Sequence, residues 1–260
     1  MSAGGGFRPA DGIVWITGAS SGIGRALALH LARRDFSVAA SARDAKALAD
    51  LAAEAAGAGG RILPLPLDVA DRAGVAQAVA RLERESGAIV TAILNAGTHR
   101  PVEAGRFAAE VFDQVFRVNL FGVVNCIAAV LPGMLSRRRG TLALVSSVAA
   151  YGGLPTAAAY GASKAAVSHL AASLKLDLDA LGVRVVLISP GFVDTPLTRR
   201  NRFPMPFLIS AERAAECIRR GLEGRAFEIA FPRRFALLLK ALNLLPYGWY
   251  FAAVHRFTGR

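Results

Sequence analysis

The sequence predicts a doubly wound α/β domain of the Rossmann type, with about seven parallel strands and helices on both faces, on three observations. Apolar runs of four to six residues alternate with longer segments of helical periodicity, the pattern of strands and helices taking turns around a sheet covered on both faces. A glycine-rich turn separates the first apolar run from the first periodic segment. The 260 residues are 53% hydrophobic, enough for one large core, and no internal repeat or low-complexity linker divides them.

Taken in chain order, residues 1–10 are glycine-rich and read as a flexible end, followed by a first strand at Ile13–Thr17. The turn 17–24 leads into a helix at Ile23–Arg34, and the apolar run Ser37–Ser41 gives the second strand. A helix at Ala45–Ala56, a strand at Ile62–Pro66 and a helix at Arg72–Ser86 complete the first half. The second half reads as a strand at Ala92–Asn95, a helical stretch Ala108–Ser136 with interruptions, and a strand at Thr141–Ser146. A helix at Ala159–Leu181, a strand at Arg184–Ser189, a helix at Ala211–Glu223 and a weaker strand at Phe227–Ala230 follow. The domain therefore spans 11–231, with a basic and hydrophobic extension at 232–260.

Charge is uneven. Lys and Arg number 31 against 19 Asp and Glu, and residues 197–260 hold 12 of the former and 4 of the latter. Nucleic acid is a poor explanation, because the cations form no recognised reading motif and the glycine turn points to a small ligand. Cys126 and Cys217 are too few and too far apart for a disulfide framework or a thiolate metal site, and both are expected to be buried in a reducing compartment. With no secretory-type apolar core near residue 1, the expected location is cytoplasmic. The uncharged stretches Val118–Ser136 and Thr141–Ser163 are long enough to span a bilayer, but their Asn, Ser, Gly and Pro residues suit a buried element of a soluble core better.

The turn Thr17-Gly18-Ala19-Ser20-Ser21-Gly22-Ile23-Gly24 offers backbone N–H groups and a helix N-terminus to an anion, and its glycines let a pyrophosphate approach the main chain. The same residues match G-x-S-x-G, a hydrolase nucleophile elbow. Position argues against that rival: an elbow follows several strands, whereas this turn follows the first, and the four histidines offer no persuasive general base apart from His255 in the tail. At the end of the second strand stands Ser41-Ala42-Arg43-Asp44. An acid there would accept from a ribose 2′-OH, and a cation would pair with a 2′-phosphate. Arg43 favours NADP, with NAD as the alternative; the plainer reading makes Arg43 an exposed arginine and Asp44 a helix cap.

Tyr160 and Lys164, four residues apart, project from one face of a helix. An ammonium near a phenol favours the phenolate and lowers its pKa toward a working range. Ser147, 13 residues upstream at the end of a strand, could hydrogen-bond the same substrate oxygen.

With these features on the page, the sequence resembles the classical short-chain dehydrogenase/reductase family over nearly all of 11–231. The matching residues are the glycine turn, Leu67-Asp68-Val69, Asn95-Ala96-Gly97, Val118-Asn119, Ser146-Ser147, Tyr160 with Lys164, and Pro190-Gly191 followed by Thr195. The resemblance implies that Tyr160 is the general acid or base, and that Ser147 orients and polarises a carbonyl. It implies that Lys164 holds the nicotinamide ribose and lowers the Tyr160 pKa, and that Asn119 supports a proton relay through water. It further implies that Gly18, Ser20, Ser21, Gly22, Ile23 and Gly24 cradle the phosphates and that Asp68 and Val69 contact adenine. Asn95, Ala96 and Gly97 are implied to support the sheet and ribose side, and Pro190, Gly191, Val193 and Thr195 the carboxamide side. The family often has two asparagines before Ala-Gly, where this chain has Leu94-Asn95. Dimers or tetramers through the fourth and fifth helices are also implied.

Hydride transfer to carbon with proton transfer to oxygen would follow, and no metal is needed. The segment 193–210 is expected to cover the substrate, with Phe203, Met205, Phe207 and Leu208 lining an apolar pocket for a carbonyl or alcohol compound. The tail 232–260 carries five Lys and Arg residues and no acid among leucines and aromatics; it suits peripheral contact with a membrane, and equally a cover for the pocket or a subunit contact. An NADP-dependent oxidoreductase is the leading reading. A nucleotide sensor or scaffold of the same fold, with little turnover, is the alternative.

Overall fold

A computed structural model of the chain describes residues 7–200 and 205–258. In chain order it holds β1 (Ile13–Thr17), α1 (Gly22–Ala32), β2 (Ser37–Ser41), α2 (Ala45–Glu54), β3 (Arg61–Pro64) and α3 (Arg72–Ser86). Then come β4 (Ile89–Leu94), α4 (Ala109–Phe116), α5 (Gly122–Ser136), β5 (Gly140–Val145), α6 (Ala158–Leu178), β6 (Val183–Pro190), α7 (Ala211–Glu223) and β7 (Glu228–Phe231). Two further helices, α8 (Arg233–Leu242) and α9 (Tyr247–Thr258), close the described chain. The seven strands form one parallel sheet in the order β3-β2-β1-β4-β5-β6-β7.

Alternation along the strands builds two cores. Val14 and Ile16 face one side of the sheet, where they meet Leu27 and Leu31 of α1, Leu48 and Leu51 of α2 and Ile218 of α7. Ile13 and Trp15 face the other, against α3, α5 and α6 through residues such as Val79, Ile127 and Val167. Each fully buried leucine or isoleucine contributes about 1.5–3 kcal/mol, so both layers are held by the same run of apolar side chains. Trp15 is entirely buried, and its indole N–H donates to Ser41 Oγ at 2.9 Å.

The stretch expected as one interrupted helix over 108–136 is two helices joined by a π-helical turn, Arg117–Phe121, which carries Asn119. It is long and apolar enough to cross a membrane by composition alone. Here Val123, Cys126, Ile127, Val130 and Met134 are buried against the sheet, as a core helix requires. β4 begins at Ile89, three residues before the expected start, because polar Thr91 breaks the apolar run yet is buried in the strand. Cys126 is buried as expected, but Cys217 is only half-buried, packed against the edge of the core from α7. Phe7, expected in the flexible end, stacks on Phe36 with ring centroids 4.6 Å apart. The extension after 231, read only as a basic and hydrophobic tail, folds into α8 and α9.

Strand order reverses between β1 and β4. The loops leaving their C-terminal ends diverge there, and the crevice between them is where ligands bind in open sheets of this kind.

Candidate active site

The glycine turn lies in that crevice. Gly18 and Gly22 adopt φ of +69° and +55°, the left-handed region that side chains resist. A Cβ on Gly18 would stand 2.8 Å from the Ala96 Cα, and one on Gly24 would stand 2.3 Å from the Gly18 carbonyl oxygen. Asn95 ties the turn to β4: its side-chain amide donates to the Thr17 and Gly18 carbonyls at 3.0 and 3.2 Å, and its backbone N–H donates to Thr17 Oγ1 at 3.0 Å. Asn95 is thus a strut for the turn. Ser21 heads α1 without a side-chain cap, and no acid sits in the first turn, so the helix N-terminus is open to an anion.

A cleft of about 980 Å³ opens over this turn. Of the residues expected to bind a cofactor, Gly18, Ser20, Ser21, Gly22, Ile23, Arg43, Asp68, Val69, Asn95, Ala96, Gly97 and Thr195 line it. Gly24 sits behind the turn, and Tyr160, Lys164, Pro190, Gly191 and Val193 are not on its wall. Asp68 also accepts from the Ala70 N–H at 2.9 Å, which fixes its own turn. Asp44 is committed elsewhere: its carboxylate caps α2 by accepting from the Ala47 N–H at 2.9 Å. Arg100 and Arg117, which the sequence did not single out, add two cations to the rim.

These groups fit a dinucleotide. The turn has room for phosphate only because side chains are missing from it, no side chain caps the helix N-terminus behind it, and Arg43, Arg100 and Arg117 stand among the lining acids Asp68, Glu110 and Asp113 to offer cations.

Beyond the Gly97 wall lie the four candidate catalytic residues. The point a Gly97 Cβ would occupy is 3.4 Å from both Asn119 Oδ1 and Lys164 Nζ. Asn119 Oδ1 accepts from the Thr98 N–H at 2.8 Å, while Nδ2 donates to the Thr98 carbonyl and to Ser163 Oγ, each at 3.0 Å. Ser147 follows β5; its Oγ accepts from the Ala149 N–H at 3.1 Å, donates to the Pro190 carbonyl at 3.5 Å, and acts on the Tyr160 phenol so as to lower its pKa. Lys164 is buried, its ammonium donates to the Val145 carbonyl at 2.8 Å, and it stands 5.9 Å from the centre of the Tyr160 ring.

Electrostatics here differ from the expectation. Burial pushes the Tyr160 phenol above its ordinary value, with the Ser147 hydrogen bond pulling the other way. Lys164 is itself pulled down by burial, to about 8, and its ammonium donates one N–H to the Val145 carbonyl. His99 was passed over. Its ring meets the Tyr160 ring edge-on at 4.9 Å, Nδ1 is buried with no hydrogen-bond partner, and burial lowers its pKa, which favours the neutral imidazole. Its position two residues after Asn95-Ala96-Gly97 was the available signal.

The substrate lip is less closed than expected. Phe207 and Leu208 are about half exposed, at 51% and 45%, and neither lines the cleft; Phe207 packs on Phe235 of α8, 5.7 Å away. Met205 is half-buried, and Phe203 falls outside the described residues.

Comparison with known proteins agrees with this geometry. A family model described as short chain dehydrogenase matches residues 12–204. An uncharacterized oxidoreductase of Myxococcus xanthus is 40% identical over 241 residues, which is 93% of this chain and 95% of that protein. The solved short-chain dehydrogenase of Sphingobium yanoikuyae in complex with NADPH is 28% identical, with a TM-score of 0.79 over 89% of this chain and 92% of that one. A short-chain dehydrogenase/reductase of Burkholderia phymatum in complex with NAD, 24% identical, shares the fold with a TM-score of 0.81 over 88% of this chain and 92% of that one. The match across residues 12–204, and a relative of nearly the same extent, place this chain in the classical short-chain dehydrogenase/reductase family of oxidoreductases.

Proposed function

We propose that the protein is an NADP-dependent oxidoreductase that interconverts a carbonyl and an alcohol, with Ser147, Tyr160 and Lys164 managing the proton. The observation that carries this is the Ser147 hydroxyl acting on the buried Tyr160 phenol, with a buried ammonium 5.9 Å from the ring, beside a cleft shaped for a dinucleotide. A bound nicotinamide supplies a hydride to the carbonyl carbon, or takes one from the alcohol carbon.

Tyr160 holds the proton at its phenol oxygen. Because burial keeps the phenol protonated, it is poised as an acid toward a carbonyl oxygen in the reducing direction. The Ser147 hydroxyl stabilises the negative charge that grows on that oxygen, and its bond from Ala149 N–H holds it in place. As the proton leaves, the Lys164 ammonium lies close enough to favour the phenolate left behind. Asn119 pins Thr98 and Ser163, and so fixes the wall between cleft and proton site. The cofactor preference rests on Arg43 at the rim, with the neighbouring carboxylate of Asp44 turned away to cap α2.

The substrate is a small carbonyl or alcohol compound. Members of the family are commonly oligomers, and the outer face of α6, with Leu176 82% exposed and Ala162, Ala165 and Ala172 also exposed, together with Phe121 of the π turn, 56% exposed, suits a contact with a second copy.

Tyr160→Phe tests the reading. Carbonyl-dependent oxidation of NADPH should fall at least about a thousandfold, within the range of removed acid–base groups, while NADPH affinity stays within about threefold. Substantial turnover by the variant would reject the assignment, and NADPH binding by the wild type without turnover on a panel of aldehydes and ketones would favour the sensor.

A further inference from the structure

Large apolar side chains that stand exposed are concentrated in the tail. Thirteen occur among the described residues, and seven lie on α8, α9 and the turn between them. Leu244, Tyr247, Trp249 and Phe257 are 70–86% exposed. On α8 the outward residues Leu237 and Ala241, with Leu244 just beyond, recur at helical spacing, while Phe235 and Ala236 face inward.

The tail is also firmly seated. Lys240 pairs with Glu228, Tyr250 donates to the Gly153 carbonyl at 2.7 Å, and Phe235 packs between Phe192 and Phe207 of the lip, at 5.5 and 5.7 Å. Helices held this way present a fixed amphipathic surface beside Phe207 of the lip. At 10 and 12 residues, broken at Pro246, neither is long enough to span a bilayer, which needs about 20.

Charge identifies the partner. Arg233, Arg234 and Arg256 have no carboxylate partner among the described residues, and residues 232–260 contain no acid at all. Two copies meeting through this face would set arginines against arginines. Anionic headgroups complement them, and exposed Trp and Tyr beside leucines match the layer where headgroups meet acyl chains.

We propose that α8 and α9 dock the protein on an anionic lipid surface, so that the lip faces the bilayer and an apolar carbonyl or alcohol dissolved there enters the Tyr160 site. The docking stands on the tail alone; the entry of substrate rests on the function proposed above.

The full chain, sedimented with vesicles of phosphatidylcholine and phosphatidylglycerol, should bind about tenfold or more tightly than to phosphatidylcholine alone, and less so at high salt. Trp249 emission should shift to the blue on binding, since the only other tryptophan, Trp15, is already buried. The double variant Leu244→Glu/Trp249→Glu should lose about tenfold or more in vesicle affinity, with NADPH affinity and turnover of a water-soluble carbonyl unchanged. Absence of wild-type binding would overturn the docking. So would a double variant that binds as tightly as wild type, or one that splits a wild-type oligomer while leaving vesicle binding intact. The Trp249 shift needs no variant and decides the matter if the double variant does not fold. Docking without turnover of any carbonyl would leave the lipid contact standing and remove the proposed chemistry; turnover of soluble carbonyls without docking would do the reverse.

Discussion

The Tyr250 hydroxyl of α9 donates a 2.7 Å hydrogen bond to the carbonyl of Gly153, 97 positions earlier, in the loop between Ser147 and Tyr160. Gly152 makes the approach possible, because a Cβ there would stand 2.5 Å from the Tyr250 oxygen. The last helix therefore braces the segment that separates the two hydroxyl-bearing residues of the proton site.

Tyr250→Phe keeps the ring and removes the donor. Stability should fall by about 1 kcal/mol, the usual net worth of such a bond. Urea unfolding would measure this, and hydrogen exchange should show the amides of 151–157 opening faster. NADPH affinity should not move, since the glycine turn makes no contact with this loop. Unchanged exchange in 151–157 would show that the bond does not brace the loop.

Glu228 draws the same region together from β7. It accepts from the Tyr151 hydroxyl at 2.5 Å and from the Ser189 hydroxyl at 2.6 Å, and it pairs with Lys240 of α8. Burial raises its pKa, but the hydrogen bonds from Lys240, Ser189 and Tyr151 outweigh that and leave it below the ordinary 4.5. A depressed carboxyl contributes stability that is complete above 4.5 and fades as pH falls through the lower folded value. Glu228→Gln should cost about 1–3 kcal/mol at pH 7 by leaving Lys240 and the hydroxyls with a weaker acceptor. Its loss of stability below pH 4.5 should be shallower than that of the wild type. Parallel acid limbs for the two proteins in denaturant titrations would contradict the linkage.

What was legible in the sequence was local. Tyr160 and Lys164 meet because four residues make one helical turn, and the glycine turn is readable because strand, glycines and helix are contiguous. Where a contact depends on distant segments, the signal vanishes: Glu228 and Tyr151 are 77 positions apart, and His99 reaches Tyr160 only once β4 and α6 are packed. The π turn at 117–121 was hidden for another reason, since one extra residue in a turn leaves hydrophobic periodicity nearly intact. Spacing along a helix says that two side chains share a face, but not that burial will push the phenol up and the ammonium down at once.

Arg43 sits at the rim of the cleft, and the acid next to it in sequence, Asp44, spends its carboxylate on the N-terminus of α2. A 2′-phosphate there would gain a charge-assisted partner, whereas a 2′-hydroxyl would find no acceptor from this pair. Arg43→Ala should weaken NADPH binding by about 10–100-fold, in keeping with the loss of a hydrogen-bonded ion pair, and leave NADH within about threefold. Fluorescence titration with both nucleotides measures the ratio. Equal losses for the two would show that Arg43 does not read the phosphate.

Lys164 carries two pH effects of opposite slope. Its ammonium is buried and its pKa is lowered from 10.5 to about 8 by desolvation. The unfolded chain thus holds the proton more tightly than the folded protein, so this group costs stability below pH 8 and the cost is relieved as pH rises from 8 to 10.5. Relative to Lys164→Met, which has nothing to titrate, the wild type should gain stability across that window. Donation from the ammonium toward the Gly97 wall weakens over the same range, because a neutral amine is a poorer donor than a cation. NADPH affinity of the wild type should accordingly fall as pH passes 8, while that of Lys164→Met should be lower throughout and flat. Urea unfolding and NADPH titration at pH 7 and 9.5 separate the two effects. If the wild type and the variant keep a constant difference in both, Lys164 does not titrate in this window and its charge is not what the site uses.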